Sequence, residues 1–366
     1  METKTTQLKL VSKNPLVRKI AEGEAKQEML DLLVARQLPF TEEEYLECLV
    51  FIITNKDLKS KAVKQLKNIP ETTKLSYLEK SEANHRVAYF LVLEALGRQN
   101  NKIIARVIHN QALPEEFLRK IAEKGEASML EMLLDNQIKL IAYPEIMDIM
   151  EKNPGINNFV KGKIQEIREF YLQDDTAEEI PEEEVLEDVK KVIVQEQQEG
   201  KETGKEEDVE EELSDLEDLA GVKERTLTTL QEINSLGISD RIKLALTGDK
   251  TQRMILIKDS NKMVSLAVLE SPKITTDEII ILARNKSIAS ELIGRIAKNR
   301  EWIKNYSIIA ELVQNPKTPV KSALSFVNRL HNRDLKLLGV NKNTSPVIRE
   351  FAANLFSQRM RSVKKK

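Results

Sequence analysis

Apolar residues recur along most of this chain at the i, i+3, i+4 spacing of one helical face, in short runs separated by polar stops. The stretch from Tyr306 to Pro319 shows the plan. Ile309, Leu312 and Val313 lie on one face, and Asn315-Pro316 ends the run, because proline disfavours the helical conformation of the residue before it. Thr318-Pro319 then starts another helix: threonine offers an oxygen to free backbone amides, and proline fits the first helical position. Asn14-Pro15 and Ser345-Pro346 use the same device, while Thr41 to Glu44 and Thr275 to Glu278 have the spacing of capping boxes. Ser239 to Leu246 reads as a capped helix closed by Gly248 in a left-handed turn. No run shows the period-two alternation of a strand.

The pattern also copies itself. Val17-Arg-Lys-Ile-Ala-Glu22 matches Leu118-Arg-Lys-Ile-Ala-Glu123, and the core returns at Ile348 to Ala352 and, with glycine replacing arginine, at Ile293 to Ala297. Large apolar residues at i and i+3 face a core, and alanine at i+4 lets a neighbouring helix come close. Pro272 to Pro316 spans 44 residues and reads as two units of about 22. These readings predict an all-α chain built as two α-solenoid arms.

Composition sets the boundaries. Residues 1–13 form an N-terminal tail, 14–172 a first arm, 173–220 a linker, 221–361 a second arm and 362–366 a basic tail. The linker holds 21 Asp and Glu against 4 Lys, net −17, a density of like charge that resists collapse and predicts disorder. Within it, Val185 to Val194 and Leu213 to Leu219 carry apolar residues at helical spacing; they are either a fraying part of a solvated spacer or segments that fold on docking. Residues 1–172 have net charge +1, whereas residues 221–366 hold 27 Lys and Arg against 13 Asp and Glu, net +14. Arg284, Lys286, Arg295, Lys298, Arg300 and Lys304 are candidate contacts for a polyanion or a partner. Trp302, the one tryptophan, is either a packing anchor or a contact residue on the concave face.

Chemistry is sparse. His85, His109 and His331 lack the spacing of metal-binding pairs, and there is no Gly-rich phosphate loop or nucleophile elbow. The abundant linker carboxylates have nothing to desolvate them, so they are solvated charge rather than an acid and a base. The single cysteine, Cys48, reads as a core residue rather than a reactive thiol. With no signal-like start and no membrane-length apolar run, the expectation is a cytoplasmic protein without enzymatic activity or cofactor.

Leu312-Val-Gln-Asn-Pro-Lys-Thr-Pro319, with a degraded copy at Val268 to Thr275, resembles the leucine-rich repeat variant family, a HEAT-like α-solenoid. Some members of that family carry a cysteine-ligated iron-sulfur cluster near the amino terminus; one cysteine cannot supply it, so that cofactor is not carried over. The second arm, including Arg300 to Tyr306, is also similar to bacterial proteins of unassigned function, which implies a bacterial source. Extended repeat surfaces imply a scaffold that binds a protein partner. The alternative is a protein that binds nucleic acid or another polyanion through the basic arm, with the acidic linker competing for it. Whether the chain forms oligomers is left open.

Overall fold

The structure is a computed structural model; it describes residues 10–172, 180 and 225–363, except 54, 56, 81, 342 and 343. All regular structure among these residues is helical, and the chain divides into two units, Met1–Asp174 and Asp175–Lys366. No helix among the described residues is long and apolar enough to cross a membrane.

Three of the predicted caps, Asn14, Thr41 and Thr275, start their helices where the sequence places them. Asn14 Oδ1 accepts from the Leu16 amide at 3.0 Å ahead of helix Pro15–Ala21, and both expected capping boxes form, at Thr41/Glu44 and Thr275/Glu278. Three expectations are corrected. Gly248 is extended (φ −63°) rather than left-handed, and its missing Cβ matters for closeness instead: one there would sit 2.5 Å from Leu244 O. Asp249 then opens an unforeseen capping box with Gln252. Ser239 lies inside helix Ile238–Thr247, whose cap is Gly237. Thr318 does not cap the following helix Val320–Val327; it is buried and donates back to Leu312 O at 2.5 Å.

Within each unit, helices pack on the next but one as well as on the next. In the first unit Pro15–Ala21 lies on Glu42–Ile52, Glu71–Glu79 on Asn101–His109 and Asn101–His109 on Ala127–Leu133, while Glu115–Lys124 reaches Glu145–Lys152, three helices on. In the second, Ile238–Thr247 lies on Lys262–Leu269, and Thr276–Arg284 on Tyr306–Gln314. The repeated motif supplies the core in both: Val17 and Ile20, Leu118, Ile121 and Ala122, Ile293, Ile296 and Ala297, Ile348 and Ala352 are all buried. Phe351 breaks the rule, being 37% exposed.

A ladder of polar side chains ties these layers. Asn110 donates to Leu78 O (2.6 Å), Asn136 to Ile108 O (2.6 Å) and Asn153 to Ala122 O (2.8 Å) and Gly125 O (3.0 Å). Ser271 donates to Leu246 O (2.9 Å) and Asn315 to Ala283 O (2.8 Å) and Asn285 O (3.1 Å) in the second unit. Each reaches back to the free carbonyls of an earlier helix end, groups that would otherwise be buried without partners. The asparagine of Asn315-Pro316 therefore stops its own helix and holds an earlier one. These bonds span 25 to 32 residues, and the second unit's ladder residues, Ser271 and Asn315, stand 44 residues apart like Pro272 and Pro316.

Both units bury charge, and in the first Lys74 Nζ meets Glu94 at 2.9 Å. Glu47 accepts from Tyr77 Oη (2.8 Å) and the Val11 amide (2.9 Å), pinning the start of the described chain to helix Glu42–Ile52. In the second unit Arg241 pairs with Asp259 at 3.0 Å, and Arg253 forks onto Glu278 at 2.9 and 3.0 Å. Burial pushes the Glu278 carboxyl up, but the bonds from Arg253 and Thr275 outweigh it and hold the carboxyl below the usual range. Cys48 is fully buried, and burial together with Glu47 raises its thiol pKa, which keeps it protonated.

Of the predicted linker, 173–220, only Ile180 lies among the described residues; the stretches Val185 to Val194 and Leu213 to Leu219 lie outside them. Ile180 is buried, and its backbone exchanges two hydrogen bonds with the Asn234 side chain, at 3.0 and 3.4 Å. That residue at least is docked on the second unit rather than solvated.

Candidate functional site

Helix Ser290–Lys298 belongs to the repeated motif, and its buried face carries Leu292, Ile293, Ile296 and Ala297. Its other face, with Gly294, Arg295 and Lys298, forms one side of a groove of about 850 Å³. Leu266 and Leu269 of helix Lys262–Leu269 form the second side. Trp302, from the short 3₁₀ turn Trp302–Lys304, and Pro319 supply apolar surface, and Lys317 stands at the rim.

Gly294 presents no side chain to the groove. The equivalent motif positions carry arginines: Arg18 pairs with Glu22 at 2.9 Å, and Arg119 pairs with Glu145 at 2.5 Å. Glycine inside a helix is unfavourable by about 1 kcal/mol against alanine. No turn requires it here, and a Cβ would meet only Pro319 Cγ at an ordinary 3.8 Å. The missing side chain leaves space bounded by Pro319, whereas the motif arginines of the other copies run out to surface ion pairs.

The rim is cationic with acidic breaks. Arg295 and Lys298 are exposed and have no ion-pair partner among the described residues. Lys317 Nζ donates to Ser287 O (2.9 Å) and Ile288 O (2.7 Å), which fixes its charge beside the groove. Glu291 is held by Lys262 at 2.9 Å, and Glu270 also lines the groove.

Among the predicted contact residues, the structure brings Arg295, Lys298 and Trp302 together here. It does not add the others. Arg284 is paired with Glu311 at 2.9 Å, tying adjacent repeats, and Lys304 is paired with Glu301 at 2.7 Å. Lys286 and Arg300 are exposed and do not line the groove. Trp302 is half-buried and lines the groove instead of filling the core. Sequence reasoning missed Lys317, Pro319, Leu266 and Leu269, although glycine in place of the motif arginine marked the spot. Among the described residues, no group of three or more His, Cys, Asp or Glu is placed to hold a metal ion. No family model matches the chain, and neither a curated protein nor a solved structure matches it.

Proposed function

We propose that the chain is a non-enzymatic scaffold, a HEAT-like α-solenoid of the leucine-rich repeat variant kind, whose second unit captures an acidic, leucine-bearing segment of a protein partner. One observation carries this reading: an apolar groove lined by Gly294 and rimmed by Arg295, Lys298 and Lys317. Apolar side chains of the partner bury against Leu266, Leu269 and Trp302, and its carboxylates meet the rim, so that burial provides affinity and charge provides orientation. A second reading rests on the exposed Arg295 and Lys298 and the net +14 of residues 221–366: nucleic acid or another polyanion binds the basic surface, with the acidic stretch 173–220 as competing ligand within the chain.

Salt separates the two. The full chain is titrated with a labelled Leu-Ser-Asp-Leu-Glu-Asp-Leu peptide, the sequence of Leu213 to Leu219, and with duplex DNA. Partner binding predicts that the peptide holds as salt rises and is lost in Gly294→Arg. Polyanion binding predicts that DNA affinity falls by orders of magnitude between about 50 and 200 mM salt. In that case Gly294→Arg, which adds a positive charge beside Arg295 and Lys298, does not weaken DNA binding, and replacing residues 173–220 with a neutral linker raises affinity. If neither ligand binds at low salt, both readings of this groove fail.

A further inference from the structure

We propose that the first unit carries a second docking groove, for a lysine- or arginine-rich amphipathic helix of a protein partner. Helix Asn158–Tyr171 turns Val160, Ile164 and Ile167 inward, yet it also presents Phe159 and Phe170, 59% and 74% exposed. The two phenylalanines line one groove of about 380 Å³ together with Leu134 and Ile167. They stand eleven positions apart on one helical face, about 16 Å at 1.5 Å per residue, which suits a partner helix of about three turns.

Charge decides what that partner is. Glu131, Asp135 and Glu166 line the same groove against a single cation, Lys163, which Glu166 holds at 2.6 Å. Glu131 accepts only from the neutral Asn157 amide, at 2.7 Å, and neither it nor Asp135 has a cationic partner among the described residues. The sequence continues the same sign, with Asp174, Asp175, Glu178 and Glu179 within eight residues of Tyr171. An acidic partner or a nucleic acid would be repelled. A cationic one gains from the carboxylates and from the ring faces, on which Arg and Lys rest favourably. The chain already uses that contact internally, with Arg86 over Phe51 at 5.2 Å and Arg36 over Tyr45 at 4.8 Å.

The test titrates the full chain with a labelled helical peptide of leucines on one face and lysines elsewhere. A scrambled peptide of the same composition and a glutamate version are the controls. The expected result is binding of the lysine helix alone. Phe159→Ser with Phe170→Ser should weaken it about tenfold or more, as loss of anchor side chains does, and Asp135→Lys should weaken it too. Both phenylalanines and Asp135 are exposed, so the variants keep the fold, which circular dichroism verifies. Gly294→Arg should leave this affinity unchanged. Equal binding of the scrambled peptide, or no effect of the phenylalanine variants, would mean attraction by the acidic stretch alone and would overturn the proposal. Self-association of the chain that is lost in the phenylalanine variants would overturn it equally, by making a second copy the occupant.

Discussion

The two units use one skeleton and finish it differently. In each, next-but-one helices stack, and an asparagine or serine at a helix stop reaches back 25 to 32 residues to an earlier helix end. On that common frame the second unit lines a groove with Gly294, Leu266, Leu269 and Trp302 and rims it with Arg295, Lys298 and Lys317. The first unit builds its groove by adding exposed rings, Phe159 and Phe170, and rims it with Glu131, Asp135 and Glu166. Backbone-directed bonds join the stacked helices, and the outward positions set the charge around each groove. The interiors differ in their cations: buried arginine-carboxylate pairs hold the second unit, while the first pairs Lys74 with Glu94 and satisfies Glu47 with neutral donors.

The largest effect that would sharpen this contrast is in those pairs. Arg253→Met leaves Glu278 buried without its partner and should cost about 3–5 kcal/mol, seen as a lowered denaturation midpoint. A loss below about 1 kcal/mol would mean that water reaches the pair. The same pair gives a pH dependence. The folded Glu278 carboxyl is more acidic than the unfolded one, so its stabilisation is complete above the ordinary carboxylate value, about 4.3, and fades as pH falls through the folded value. Acid unfolding of Arg253→Met should be correspondingly less steep.

Next come the ladder residues. Asn153→Ala and Asn315→Ala each strip buried carbonyls of their donor and should cost about 1–3 kcal/mol apiece. Similar values in the two units would support the common skeleton; a loss in only one would break it. Gly294→Arg should stabilise by up to about 1 kcal/mol, because any ordinary residue outperforms glycine in a helix, while closing the groove. Destabilisation would show that the space is needed for packing. Smallest is Phe170→Ser, expected within about 0.5 kcal/mol of the parent by thermal melting, because the ring is exposed in the isolated chain.

Much of the helical plan was legible because it is local. The Thr275/Glu278 and Thr41/Glu44 boxes, Asn14-Pro15, and the buried faces of Val17/Ile20 and Leu118/Ile121 follow from spacings of two to four residues. Thr318 was read wrongly for the same reason. Its spacing suits a cap, but the turn after Asn315 brings its hydroxyl to Leu312 O, six residues back, instead. Candidate contacts chosen by charge alone mixed Arg295 and Lys298 with Arg284 and Lys304, whose charges are already paired. Phe159 and Phe170 went unnoticed because a phenylalanine at helical spacing reads as core until burial is known.

By itself, then, the sequence determined the helices, their stops, the copied motif and the opposed charge of 173–220 and 221–366, all properties of neighbours along the chain or of sums over it. Tertiary structure alone decided which residues thirty positions apart share a hydrogen bond, which cations keep their charge available, and where a glycine comes to line a groove. Those depend on distances through space, and helix spacing leaves them free until the next-but-one helices have packed.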